Sequence, residues 1–155
     1  MQADRLHIED FTPGRAFALG PTPVSADEIV AFASEFDPQP MHLSQADGAA
    51  SILGGLAASG WHTSALMMRM LCDSYIGNSA SEGSPGIDSM EWKKPVLAGD
   101  TLSGQSRVTA ARVSKSRPEI GIVTFRATVT NQRGDVVAIC EYANLIRCRP
   151  SGEAA

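Results

Sequence analysis

In the segment Asp37-Pro38-Gln39-Pro40-Met41-His42, a carboxylate and an imidazole stand five residues apart. Placed around one water molecule, such a pair can activate it and move a proton. Neither helical nor strand spacing puts positions i and i+5 neatly on one face, so only a wrapped loop could converge them. Two prolines stiffen the stretch and reduce the entropy lost in holding it. Residue types alone fit a plainer picture better: an aspartate closing a helix and an exposed histidine in the loop that follows. A second stretch, Gly54-Gly55-Leu56-Ala57-Ala58-Ser59-Gly60, leads into a strongly apolar segment at Trp61. The first N–H groups of a helix offer donors and partial positive charge to an oxygen, and a glycine there lets a ligand approach the backbone. One such donor aimed at a developing oxyanion is worth about 2.7–4 kcal/mol. The alternative is a flexible loop with Ser59 as an ordinary helix cap.

Other candidates carry less. His62, in the first turn of an apolar helix, reads first as a core or interface histidine. No HxH, HExxH or CxxC occurs, so no metal site is expected. Arg133-Gly134-Asp135 reads as a hairpin turn, Lys93, Lys94, Lys115 and Arg117 as solvated cations, and Met67, Met68 and Met70 as packing residues.

These residues sit in a chain of 155 with 13 Lys plus Arg, 17 Asp plus Glu and a net charge of -4. Without a basic excess, a nucleic-acid partner is not expected. With 43% hydrophobic residues the chain can bury one sizeable core, and the expectation is a single domain over residues 1–155 with short frayed tails at Met1–Asp4 and Ser151–Ala155. No apolar run reaches the roughly 18–20 residues a bilayer demands, and the start lacks a secretion signal. Three cysteines (Cys72, Cys140, Cys148), with no close pair, suit a reducing cytoplasm better than a disulfide framework or structural zinc.

The elements that must position the chemistry follow from pattern. Ser25 with Glu28 forms a capping box, and Ile29, Val30, Phe32, Ala33 and Phe36 supply the apolar stripe of a helix that ends at Asp37 before Pro38. Residues 37–60 read as loop with a short helical turn near Gln45–Ala50. Trp61–Ile76 is apolar nearly all round yet too short for a membrane, which predicts a buried core helix. Arg15–Leu19, Ile87–Pro95, Thr101–Val113, Ile120–Thr130 and Val136–Arg147 read as strands. Leu102, Val108 and Ala110 share one face of the third, and Val123, Phe125, Ala127 and Val129 one face of the fourth. The fold class expected is α+β: a long curved antiparallel sheet wrapped around one buried apolar helix, the hotdog fold. Its free sheet edges predict a homodimer or higher homo-oligomer.

Taken together, these residues resemble the MaoC-like dehydratase family, which includes the R-specific enoyl-CoA hydratases. The family pattern, roughly Asp-x-Asn-Pro-x-His, is matched by Asp37 to His42, with Gln39 in place of the usual Asn. A small-residue loop and a pair such as His-Gly open the family's core helix; here the pair is Ser59-Gly60. The likeness extends through Glu9-Asp10-Phe11, the Ser25–Phe36 helix and the Lys94-Pro95…Gly99-Asp100-Thr101 hairpin, nearly the whole chain.

The resemblance implies a hydro-lyase that reversibly hydrates a 2-enoyl-CoA or dehydrates a 3-hydroxyacyl-CoA. Asp37 would act as base toward water, His42 would orient it and help protonate Cα, and the Gly60 N–H would polarise the thioester carbonyl. Ser59, Trp61, His62 and Met68 are the implied substrate-binding residues. Met68 stands where some hydratases carry a serine. The partner implied is an acyl-CoA, its pantetheine arm passing between two subunits, with no further cofactor and no metal. Two alternatives remain at this stage. A hotdog thioesterase would want a carboxylate on the core helix, where only Asp73 stands. A non-catalytic acyl-thioester-binding protein would explain Met68 but not the retention of both Asp37 and His42.

Overall fold

Five antiparallel strands form a single sheet in the order β1-β3-β4-β5-β2 in the computed structural model, which describes residues 5–151. The strands are β1 (Ala16–Pro23), β2 (Gly86–Trp92), β3 (Thr101–Val113), β4 (Ile120–Thr130) and β5 (Val136–Arg147). Three helices accompany them: α1 (Ala26–Phe36), α2 (Gln45–Ala50) and α3 (Gly60–Ser74). The sheet curls around α3, giving the hotdog architecture. Most of the expected tails, residues 1–4 and 152–155, lie outside the described residues. Among the described residues, no helix is long and apolar enough to cross a membrane.

The central strand β4 shows why the sheet holds. Val123, Phe125, Ala127 and Val129 all face the core and are buried, as strict alternation requires. Phe125 packs edge-on to Phe11 and stacks on Tyr142. Burying a side chain of that size is worth about 1.5–3 kcal/mol. From α3, Met67, Met70 and Leu71 enter the same core, joined by Tyr75 just beyond the helix. The hydroxyls of Tyr75, Tyr142 and Ser106 meet in this interior and satisfy one another.

Several boundaries and faces differ from expectation. Strand β1 continues past Gly20 and Pro21 to Pro23; as an edge strand it tolerates prolines that an interior strand would not. Strand β2 stops at Trp92, and α3 runs from Gly60 to Ser74, with Ile76 in a separate 3-10 turn. Ala110 faces solvent rather than joining Val108. A bulge shifts the β3–β4 register between Val108 and Ala110, so the inward position passes to Ala111. Nor is α3 buried all round: Trp61 is 66% and Met68 44% exposed. These side chains lie on the flank of the helix near the outer edge strand β2, where Ile87 is 57% exposed.

Candidate active site

Helix α1 delivers the carboxylate. The Ser25 hydroxyl accepts from the Glu28 N–H and the Glu28 carboxylate accepts from the Ser25 N–H, so the capping box forms as patterned. At the other end the Asp37 N–H bonds to the Ala33 carbonyl, closing the helix at the residue before Pro38. Pro40–His42 then makes one 3-10 turn with proline at its start, and α2 follows. Gly48 of α2 packs onto the backbone of Gly55 so closely that a Cβ there would lie 2.3 Å from the Gly55 carbonyl oxygen. The Gly55 N–H donates to the Gly48 carbonyl, and the Leu56 N–H to the Gln45 side chain. Residues 56–58 are then stitched to 96–98 by the pairs Ala58 N–H to Val96 O and Ala98 N–H to Leu56 O, both near 2.9 Å or shorter.

This scaffold brings Asp37 and His42 together: His42 Nε2 lies 3.5 Å from Asp37 Oδ2. The other imidazole nitrogen, Nδ1, is 2.7 Å from the Ala57 carbonyl oxygen. A carbonyl can only accept, so Nδ1 carries the proton and, in the neutral ring, Nε2 presents its lone pair toward Asp37. The carboxylate has two further donors. Ser59 Oγ donates to Oδ2 at 2.6 Å, and Gln39 Nε2 donates to Oδ1 at 2.7 Å. These bonds, Ser59 first and Gln39 second, with the charge of His42 behind them, hold the Asp37 carboxyl below its ordinary 3.8 against the opposing effect of burial.

Gly60 opens α3, so its N–H belongs to the first-turn donors that a helix cannot satisfy internally. The indole of Trp92 lies across it: a Cβ on Gly60 would sit 2.6–2.8 Å from three ring atoms. Trp92 is fixed in turn, its Nε1–H donating to Ser64 Oγ, whose hydroxyl donates to the Gly60 carbonyl. A cleft of about 210 Å³ opens here, with His42, Gly60, Thr63, Trp92, Lys93 and Lys94 on its walls. Lys93 is paired with Glu91 and Lys94 with Asp135.

The other expected site residues fall elsewhere. Asp37 adjoins His42 without itself lining this cleft. Ser59 is fully buried, with its hydroxyl committed to Asp37 and to the Trp61 N–H. His62 is 6% exposed and stacks on Phe32 of α1 at 4.7 Å, turned from the cleft. Burial pushes its imidazole below 6.5, with Glu28 opposing. Trp61 packs edge-on against Trp92, also off the cleft wall. The reason is helical phase: from Gly60, the residue on the same face is Thr63, three positions on, while 61 and 62 turn away. Met68 lines a separate apolar cavity of about 160 Å³ with Met67, Leu71, Ile87 and Tyr142. Asp73, the one carboxylate on α3, is exposed and bonded to Arg69. The cleft beside His42 is lined by Thr63 and Trp92, and not by residues 59, 61 and 62. Helical phase could have identified Thr63; Trp92 and the Ala57 carbonyl had no local signal.

Comparison with known proteins places this geometry. The family model described as "MaoC like domain" matches residues 10–131. The uncharacterized protein YdeM of Bacillus subtilis is 30% identical over 143 residues, which are 92% of this chain and 99% of that protein. The crystal structure of the MaoC-like dehydratase from Rhodospirillum rubrum superposes with a TM-score of 0.83 at 40% identity, covering 94% of this chain and 99% of that one. An (R)-hydratase from A. caviae involved in PHA biosynthesis shares the fold, with a TM-score of 0.72 at 23% identity over 91% of this chain and 99% of that one.

Proposed function

Since the chain belongs to the MaoC-like domain family, we propose that it is a hydro-lyase acting on acyl-CoA thioesters, adding water to a 2-enoyl-CoA or removing it from a 3-hydroxyacyl-CoA. One observation carries this reading: the proline-rich bend sets His42 Nε2 3.5 Å from Asp37 Oδ2, beside the cleft where the Gly60 N–H opens α3. That separation is long for a direct hydrogen bond and suits a water held by both groups. In hydration the thioester carbonyl lies toward the Gly60 N–H, and the alkene over the imidazole. The water oxygen bonds to Cβ, the π electrons move to Cα and the carbonyl, and the Gly60 donor stabilises the enolate-like oxygen. Nε2 takes the water's proton and returns it to Cα, restoring the neutral ring. Asp37 remains ionised. Both of its oxygens already accept hydrogen bonds, whereas Nε2 presents a lone pair, so the imidazole takes the proton and the carboxylate balances its transient charge. No redox group or metal is required by these steps.

The acting unit is a homodimer in the cytoplasm. Strand β2 is one of the two outer strands of the sheet, and Trp61, Met68, Ile87 and Trp92 expose apolar surface beside it. Antiparallel pairing of two β2 strands covers that surface and brings the Ile87 end of one protomer beside the Trp92 end of the other. The partner's Met68-lined cavity then continues this protomer's cleft and takes the acyl tail.

Crotonyl-CoA and longer enoyl-CoAs test the reading, with alkene absorbance and free thiol followed together. Alkene loss without thiol release is the expected result. Thiol release would make the protein a thioesterase, and binding without turnover would make it a carrier of acyl thioesters.

A further inference from the structure

Ser59 is the residue that joins the two halves of the site. Its side chain is fully buried. Its hydroxyl donates to Asp37 Oδ2 at 2.6 Å, across 22 residues of chain, while the same oxygen accepts from the Trp61 N–H at 3.3 Å. One oxygen atom therefore ties the carboxylate at the end of α1 to the first turn of α3, where Gly60 lies. With no exposed surface it cannot reach a bound molecule. An ordinary helix cap needs only the acceptor half of this arrangement; the donor half points at Asp37.

We propose that Ser59 is a positioning residue, holding the Asp37 carboxylate in register with the Gly60 amide and keeping it turned toward His42 without touching substrate. The kinetic side of this inference rests on the hydro-lyase reading; the electrostatic side does not. Besides Ser59 and the neutral Gln39, the titratable group facing Asp37 is His42. Loss of the Ser59 donor removes the largest influence that favours the ionised carboxylate.

The test is a titration of the Asp37 side-chain carboxyl ¹³C resonance, assigned by its disappearance in Asp37→Asn, in the wild type, Ser59→Ala and Ser59→Thr. Ser59→Ala is expected to raise the midpoint by about one pH unit, the scale of one hydrogen bond to a charged group. Ser59→Thr, which keeps the hydroxyl, restores it. An unchanged midpoint in Ser59→Ala overturns the proposal. If Ser59→Ala does not fold, Ser59→Gly, which an N-cap tolerates well, takes its place. Kinetically, release of the carboxylate from its position in Ser59→Ala should lower kcat about tenfold, less than the roughly hundredfold that a full 1 Å misplacement can cost, with KM little changed, and cause no further loss when added to Asp37→Asn. A KM effect at constant kcat, or a full loss persisting in the Asp37→Asn background, also overturns it. Should the wild type fail to hydrate any enoyl-CoA, the hydro-lyase reading falls, while the carboxyl titration still decides the role of Ser59.

Discussion

Substituting Gly48 by alanine tests whether α2 positions the imidazole. The added carbon would lie 2.3 Å from the Gly55 carbonyl oxygen, 2.5 Å from its carbonyl carbon and 2.6 Å from the Leu56 nitrogen. All three are backbone atoms, so no side chain can rotate aside. Carbon atoms reach favourable contact at about 3.5 Å, so α2 and the 55–56 backbone must part by about 1 Å. That movement acts on both supports of His42: the turn before α2, and the Ala57 carbonyl that fixes Nδ1. A misplacement of about 1 Å can cost roughly a hundredfold in rate, and a fall in kcat of about 10- to 100-fold is expected. Overpacking costs about 1–3 kcal/mol, while alanine gains about 0.8–1 kcal/mol over glycine within a helix. The net destabilisation is then about 0–2 kcal/mol, or up to about 8 °C in Tm for a chain of this size. Enoyl-CoA absorbance and a thermal melt measure the two effects. Wild-type kcat together with a raised Tm would refute the reasoning, since it would mean that α2 accepts the methyl group without disturbing the site.

Three further outcomes follow from the same geometry. Asp37→Asn and His42→Ala should each lower turnover by more than about 100-fold, the scale of acid–base assistance, and near-normal rates in the enoyl-CoA assay would remove both from the mechanism. His62→Phe keeps the stack on Phe32 but cannot be protonated. Since burial holds the folded His62 below 6.5, the unfolded chain binds more protons between the folded and unfolded values, so this contribution is complete above 6.5 and is lost as pH falls toward the folded value. Denaturant melts from about pH 7.5 down to about pH 5 should therefore show a shallower loss in His62→Phe than in the wild type; equal slopes would sink the assignment. Ile87→Lys, which places a charge on the free sheet edge, should turn dimer into monomer by light scattering and abolish turnover together with it.

The strands and α3 were legible in the sequence because their hydrophobic periods are long and repeat. Where a bulge interrupts the period, at Ala110, simple alternation points to the wrong face. Strand β1 runs on to Pro23 because only an edge strand tolerates prolines, and edge position has no local sequence signal. The chemistry behaved differently. Asp37 and His42 are singled out by the family resemblance and not by residue type alone, and their convergence depends on α2 docking through Gly48, a contact with no periodic signature. Ser59 and His62 looked like substrate contacts because they adjoin Gly60 in sequence. A helix turns about 100° per residue, however, and adjacency in sequence does not mean a shared face.

The least legible parts of the site are main-chain atoms. The Ala57 carbonyl selects the tautomer of His42, and the Gly60 N–H supplies the donor at the start of α3. Neither depends on its own side chain doing chemistry. Residue 57 need only be small enough to lie beside residues 96–98, and residue 60 must leave room for the Trp92 ring, 2.6 Å from where a Cβ would be. The glycine at 60 is therefore set as much by the wall of the cleft as by the approach of a ligand. This separates two explanations of the same residue. If only ligand approach mattered, Gly60→Ala would be harmed in every background. If the indole is the obstacle, replacing Trp92 with leucine should restore much of the turnover that Gly60→Ala loses, and enoyl-CoA kinetics on the double variant decide between them.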